Sequence, residues 1–245
     1  FRPSRILYAV CKAGSRRFHP ISPAPNPVAN FQTLFDTSVT CKTLSLKMLT
    51  RFRDKYGEGE GASDELNPAF LSPLEERAIG ITELLSSSGG ATFANGLYRL
   101  HGAGDIGAWT KNVEATFPEY EGALVCFGYD WLGRHFALDT TTDKGQWQIL
   151  LIEPGAGEAM QIPSSFADFH NIELVEYASD ALAEPFFIEW LSSGGAFPKP
   201  TECIAYKTPL FLNGSDTIEN LEVSDMDVYW HLCGQLRQSI TTGLG

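Results

Sequence analysis

The sequence predicts an α+β fold in which a mainly antiparallel sheet packs against helices and the chain ends on a helix. Three observations predict it. Strand-like segments follow one another from about residue 123 to 162, joined by short turn-rich connections. Helical patterns cluster before and after that block instead of alternating with it, which argues against βαβ units. At 245 residues, with 43% hydrophobic and 20% charged residues, the chain carries enough apolar material for a sizeable core.

Taken in order, residues 1–47 stand apart. They hold seven Lys/Arg and one Asp/Glu, a formal charge of +6, and are rich in Ser, Thr and Pro. The chain opens on Phe1, and Met48 is the first methionine. The composition predicts that 1–47 is a disordered leader or lies upstream of a start at Met48, and that 48–245 forms one domain. That domain holds eleven Lys/Arg and twenty-nine Asp/Glu, or −18. Such charge repels phosphate backbones and anionic membranes and steers basic partners inward.

Met48–Tyr56 reads as a helix, followed by a Gly/Glu-rich connection. Leu74–Leu85 places Leu74, Ala78, Ile81, Leu84 and Leu85 at helical spacing and stops at Ser-Ser-Ser-Gly-Gly, 86–90. A short strand is expected at Gly96–Leu100 and a helix at Asp105–Phe117, closed by Pro118. Ala123–Tyr129, Arg134–Asp139, Trp147–Glu153 and Ala159–Ile162 read as strands, with turns at Asp130–Gly133 and Pro154–Gly157. Ser164 or Ser165 can cap a short helix reaching His170. Asp180–Ser192 has an apolar stripe of Leu182, Phe186, Phe187, Trp190 and Leu191. A strand at Cys203–Tyr206, an irregular stretch and a helix over Asp225–Ile240 complete the chain.

The chemistry-bearing motifs are sparse. Gly102, Gly104 and Gly107 form a G-x-G-x-x-G with Asp130 following at roughly the distance of a dinucleotide-binding acid. Against that reading, the preceding strand alternates with charge, and Asp105 sets a carboxylate where a pyrophosphate needs bare amides. There is no Gly-x-Ser-x-Gly elbow, and no C-x-x-C among Cys11, Cys41, Cys126, Cys203 and Cys233. Cys126 and Cys233 lie in apolar contexts that suit buried thiols in a reducing cytoplasm. The histidines at 19, 101, 135, 170 and 231 show no metal-ligand spacing. Asp168 and His170 are two apart. His135 and Asp139 share a strand face, where a structural hydrogen bond is expected. Longest apolar runs are a few residues, far short of the ~20 that span a bilayer. These features point to a binder without catalytic, cofactor or metal residues.

An ordered set of phrases carries a resemblance. It runs through Trp131–Asp139, Ile152–Glu158, Ile162-Pro163, Phe166, Phe187–Leu191, Glu202–Tyr206, Pro209-Leu210 and Leu212. Asn213-Gly214-Ser215, Ile218–Leu221, His231-Leu232 and Gln235-Leu236 continue it. From Met48 to Ile240 this resembles the bacterial type VI secretion immunity proteins that neutralise a DNase effector, with the GAD-like domain often placed ahead of it. The resemblance implies an α+β fold, no catalysis, and cytoplasmic binding of a cognate nuclease toxin. Asn213 stands where the family usually has a glycine.

An acidic surface covering a basic, DNA-gripping toxin is the interface expected from charge and resemblance together. The candidate contact residues are Glu119, Tyr120 and Glu121 ahead of one strand, with Asp130 and Trp131 in the next turn, because aromatic anchors ringed by charge suit interfaces. Trp131 suits a core position equally well. A general protein-interaction module of the same fold and a nucleotide-dependent enzyme remain the alternatives at this stage.

Overall fold

A computed structural model describes residues 49–61, 73–141 and 144–243. The expected leader at 1–47, Met48 itself and part of the Gly/Glu-rich connection lie outside the described residues. The elements are α1 (Thr50–Tyr56), α2 (Ile81–Ser88), β1 (Thr92–Phe93), β2 (Tyr98–Leu100), α3 (Ala103–Thr116), β3 (Leu124–Asp130), β4 (His135–Asp139), β5 (Gln148–Glu153) and β6 (Glu158–Ile162). Then come α4 (Phe166–Asp168), a π-helical turn (Phe169–Glu173), α5 (Leu174–Glu176), α6 (Ala178–Ala181), α7 (Glu184–Ser192), β7 (Glu202–Tyr206), β8 (Leu221–Asp225) and α8 (Met226–Gly243).

Strands β1 to β6 form one antiparallel sheet in sequence order, and β7 and β8 pair as a separate ribbon. The α+β class is therefore correct. Alternation along the strands sorts side chains onto two faces. Phe127, Phe136, Leu138, Ile149 and Leu151 join the larger core with residues of α1, α2, the 166–176 segment and α7. Cys126, Ala137, Leu150 and Ile152 face the other way, onto Val113 of α3 and Tyr229, Trp230 and Cys233 of α8. Helices thus cover both faces of the sheet.

Two expected helices change shape, and one strand appears that the sequence does not predict. The helix expected over Leu74–Leu85 is broken: Gly80 sits at φ 93 as the cap residue before α2, a left-handed conformation that glycine adopts without a Cβ clash. The helix expected over Asp180–Ser192 is two helices. Ala183 takes a left-handed conformation, φ 49, and Pro185 in the first turn of α7 lacks the amide that would continue the ladder. β8 was not anticipated at all; its burial is confined largely to Leu221, so its alternation is weak. At Gly128 the β3–β4 register shifts, and an added Cβ would lie 2.7 Å from the Arg99 carbonyl oxygen, so the bulge depends on glycine.

Candidate functional site

The turn after β3 is the structural keystone of one end of the molecule. Asp130 accepts hydrogen bonds from the amides of Leu132 and Arg134, both at 3.0 Å, and from Arg134 Nε at 2.6 Å. The Arg134 guanidinium also donates to the Ala181 carbonyl at 3.1 Å, tying the turn to α6. Trp131 donates its indole N–H to the Leu182 carbonyl at 2.9 Å and packs on Phe186 and Phe187 of α7. Both Asp130 and Trp131 are fully enclosed. The expectation that they present an interface therefore does not describe this fold: a carboxylate held by three buried hydrogen bonds and the Arg134 ion pair, and a tryptophan filling the core, act as scaffold.

The other three expected contact residues fare differently. Glu119 and Glu121 are exposed, and Tyr120 is half-buried against the α3–α8 core. Glu119 pairs with Arg237 of α8 at 2.8 Å, and Arg237 also donates to the Thr116 carbonyl and lies 4.1 Å from the centre of the Phe117 ring. Burial raises the Glu119 carboxyl's pKa, but the Arg237 hydrogen bond, a backbone hydrogen bond at Glu119 and the Arg237 charge together hold it below its ordinary value. The five residues consequently do not form one patch.

Buried ionisable groups cluster behind the keystone. Glu153 is enclosed, its Oε2 has no hydrogen-bond partner, and burial pushes its pKa up to about 7 against the pull of Arg134. On the other face, His101, His135, Trp109 and Tyr129 stack with ring centres 4.7 to 5.7 Å apart. Burial lowers His135 to about 3, and His101 also falls well below its usual value. Two neutral imidazoles with no carboxylate beside them are poorly placed for general acid–base work. His135 Nδ1 lies 3.3 Å from the Gly133 carbonyl, while Asp139 binds Thr141, so the expected His135–Asp139 bond is replaced by separate local ones. His170 is likewise occupied, by Tyr98 Oη and the Phe166 carbonyl, while Asp168 is exposed and held by the helix-capping Ser165, whose hydroxyl accepts from the Asp168 amide and donates to its carboxylate. Among the described residues no group of three or more His, Cys, Asp or Glu is placed to hold a metal.

The glycine motif resolves into helix architecture. Gly102 precedes α3 as its cap, and Gly104 and Gly107 lie within α3. The strands before and after α3 are antiparallel neighbours, so the parallel βαβ unit that holds a dinucleotide is not built here. Asp130, the partner acid of that motif, is locked to Arg134.

A different surface has the composition of a binding face. From Gly145 to Pro198, 54 residues, the sequence contains no Lys or Arg and eight Asp/Glu. Glu153 is buried and Glu176 pairs with Arg51, but Asp180 and Glu189 are exposed and Glu184 is partly so. On α7 and the loop after it, Ile188 is 56% and Phe197 53% exposed. Phe197 packs against Phe187, with ring centres 6.3 Å apart, and Trp190 donates to the Ala196 carbonyl, so the loop is held onto α7. Exposed apolar side chains on a helix that also carries Glu184 and Glu189 make a surface suited to a partly apolar, basic partner. The signal for this surface in the sequence is the local absence of Lys and Arg, which the summed charge of −18 over 48–245 conceals.

Asn213, where a glycine is usual in the resembling family, takes φ 63 and ψ 25. Asparagine tolerates this left-handed conformation, so the loop keeps the shape glycine would give it. Residues 164–237 match the family model described as "T6SS immunity protein Tdi1, C-terminal". The match spans α4 to α7, the β7–β8 ribbon and most of α8. No curated protein matches the chain. Among solved structures, the crystal structure of Atu4351 from Agrobacterium tumefaciens superposes with a TM-score of 0.53 at 14% identity, covering 75% of this chain and 86% of that one. That likeness concerns the fold. Residues 164–237 are thus similar to the C-terminal region of the type VI secretion immunity protein Tdi1.

Proposed function

We propose that this chain is a non-catalytic immunity protein that binds a cognate nuclease effector of a type VI secretion system in the bacterial cytoplasm and blocks its grip on DNA. The observation that carries the reading is the overlap, over residues 164–198, of the family-matched segment with the cation-free stretch, which carries the exposed Ile188 and Phe197 together with Asp180, Glu184 and Glu189. A surface that grips phosphates must be basic, and an acidic cover meets it with complementary charge while itself being repelled by DNA. No helix among the described residues is long and apolar enough to cross a membrane.

Glu119, Tyr120 and Glu121 form a second, smaller acidic edge, supported from behind by Arg237; Asp130 and Trp131 contribute by holding the Asp130–Gly133 turn against α6 and α7. The test is co-purification of the full chain with the nuclease effector encoded beside it, followed by DNA cleavage by that effector with and without the chain. The expected result is a stable complex in which cleavage stops. An effector that cleaves DNA unhindered in the presence of excess chain would overturn the proposal.

A further inference from the structure

The C-terminal helix presents a surface of opposite character. Val228, Leu232, Leu236 and Ile240 recur every fourth residue along α8 and are all exposed, Val228 by 51% and Leu232 by 50%. Residues spaced by four lie along one strip of a helix. Between Val228 and Thr241 the chain carries no Asp or Glu, within a 48–245 segment of formal charge −18. Arg237, the one Lys/Arg in this interval, is already committed to Glu119 and the Thr116 carbonyl. The remaining exposed neighbours are neutral amides and hydroxyls, with Gln235 bonded to His231.

We propose that this strip is where two copies of the chain associate, through antiparallel pairing of their α8 helices about a two-fold axis. Charge selects the occupant. Beyond Val228, whose amide donates to the Asp225 carboxylate, α8 itself offers a basic partner no Asp or Glu along the strip, whereas a second copy of this acidic protein can approach here with the least self-repulsion. Charge also selects the direction. Asp225 and Asp227 stand at the start of α8, before the strip. Antiparallel pairing puts the two acidic ends about 18 Å or more apart, the rise of twelve helical residues, which exceeds the screening length of about 8 Å at physiological salt. Parallel pairing would bring them together. The order Val228, Leu232, Leu236, Ile240 suits the two-fold: Val228 meets Ile240 of the other copy and Leu232 meets Leu236, so each apolar side chain finds an apolar neighbour. The helix dipoles also oppose favourably in this direction.

This inference goes beyond the immunity reading and does not depend on it. Its test is the mass of the full chain by sedimentation, from about 1 to about 100 µM, a span that covers the weak-to-moderate affinities of small interfaces. The wild type is expected to approach twice the chain mass at the upper end, and to keep doing so in ~0.5 M salt because no ion pair holds the contact. Leu232→Glu/Leu236→Glu is expected to remain at single mass with an unchanged circular dichroism spectrum. Leu232→Gln, which leaves the helix uncharged, guards against a folding defect and should weaken the association at least fivefold. A wild type that stays at single mass throughout overturns the proposal, as does a Glu/Glu variant that still doubles. A single-mass wild type whose Glu/Glu variant loses the effector would reassign the strip to the effector and also overturn it.

Discussion

The α7 face and the α8 strip are both helical surfaces with exposed aliphatic side chains, yet they differ in what surrounds those side chains. Ile188 and Phe197 sit in a stretch with eight acids and no Lys or Arg. The α8 strip sits in an interval with no acid at all. Apolar exposure alone marks a surface as sticky; the charge around it selects the partner. On the proposed assignments, the acidic face disfavours a second copy of the chain and suits a basic protein, while the neutral strip does the reverse.

The two faces are packed on different cores but meet at the Asp130–Gly133 turn, where the Gly133 carbonyl accepts the Trp230 indole N–H of α8 at 2.8 Å. Trp131 supports α7 through Phe186, Phe187 and the Leu182 carbonyl, whereas α8 packs its own Tyr229, Trp230 and Cys233 into the other core, with Val113, Cys126 and Ala137. Trp131→Ala is expected to cost about 3–5 kcal/mol in chemical denaturation. Under conditions where it remains folded, it should abolish effector binding and leave the doubling of mass intact. Loss of both together would show that the faces are not independent.

Next in size is the effect of pH. The Glu153 carboxyl titrates near 7 in the folded chain, above the value of about 4.5 expected when unfolded. The folded state therefore holds a proton more tightly, so this group's contribution is fully present below about pH 4.5 and is lost as pH rises through about 7. Between pH 5 and 8 the wild type should lose on the order of 3 kcal/mol relative to Glu153→Gln. Equal pH slopes for the two proteins would contradict this. Because Glu153 is coupled to Arg134, which holds α6 ahead of α7, the acidic face should weaken with this loss before the strip does.

Glu184→Lys/Glu189→Lys is expected to weaken effector binding about tenfold or more and to reduce its salt sensitivity, with no change in self-association. The smallest effect belongs to Glu119→Gln. Its pair with Arg237 is solvent-exposed, so stability should change by under about 1 kcal/mol, and binding only if the 119–121 edge touches the effector.

Much of the fold was legible because strands β3 to β6 alternate cleanly and their turns carry Gly and Pro. What was not legible follows from tertiary context. Gly80 and Ala183 break helices whose apolar spacing looks continuous, because spacing reports a face and says nothing about φ. β8 was hidden because Glu222 and Val223 are both exposed, erasing alternation. At the site, Trp131 beside Asp130 reads in sequence as an anchor ringed by charge. Arg134, four residues on, folds back onto Asp130 and turns the same residues into core. Ile188 lay inside an apolar helix pattern, and only the packing of Phe187 and Trp190 inward shows that it points out.

The central claim is that an acidic face neutralises a nuclease effector, and it is tested most directly by cleavage of DNA by that effector with increasing amounts of chain. The account predicts that wild-type chain and Leu232→Glu/Leu236→Glu stop cleavage as they reach equimolar amounts, while Glu184→Lys/Glu189→Lys needs a large excess. Cleavage that continues at every amount of wild-type chain would contradict it.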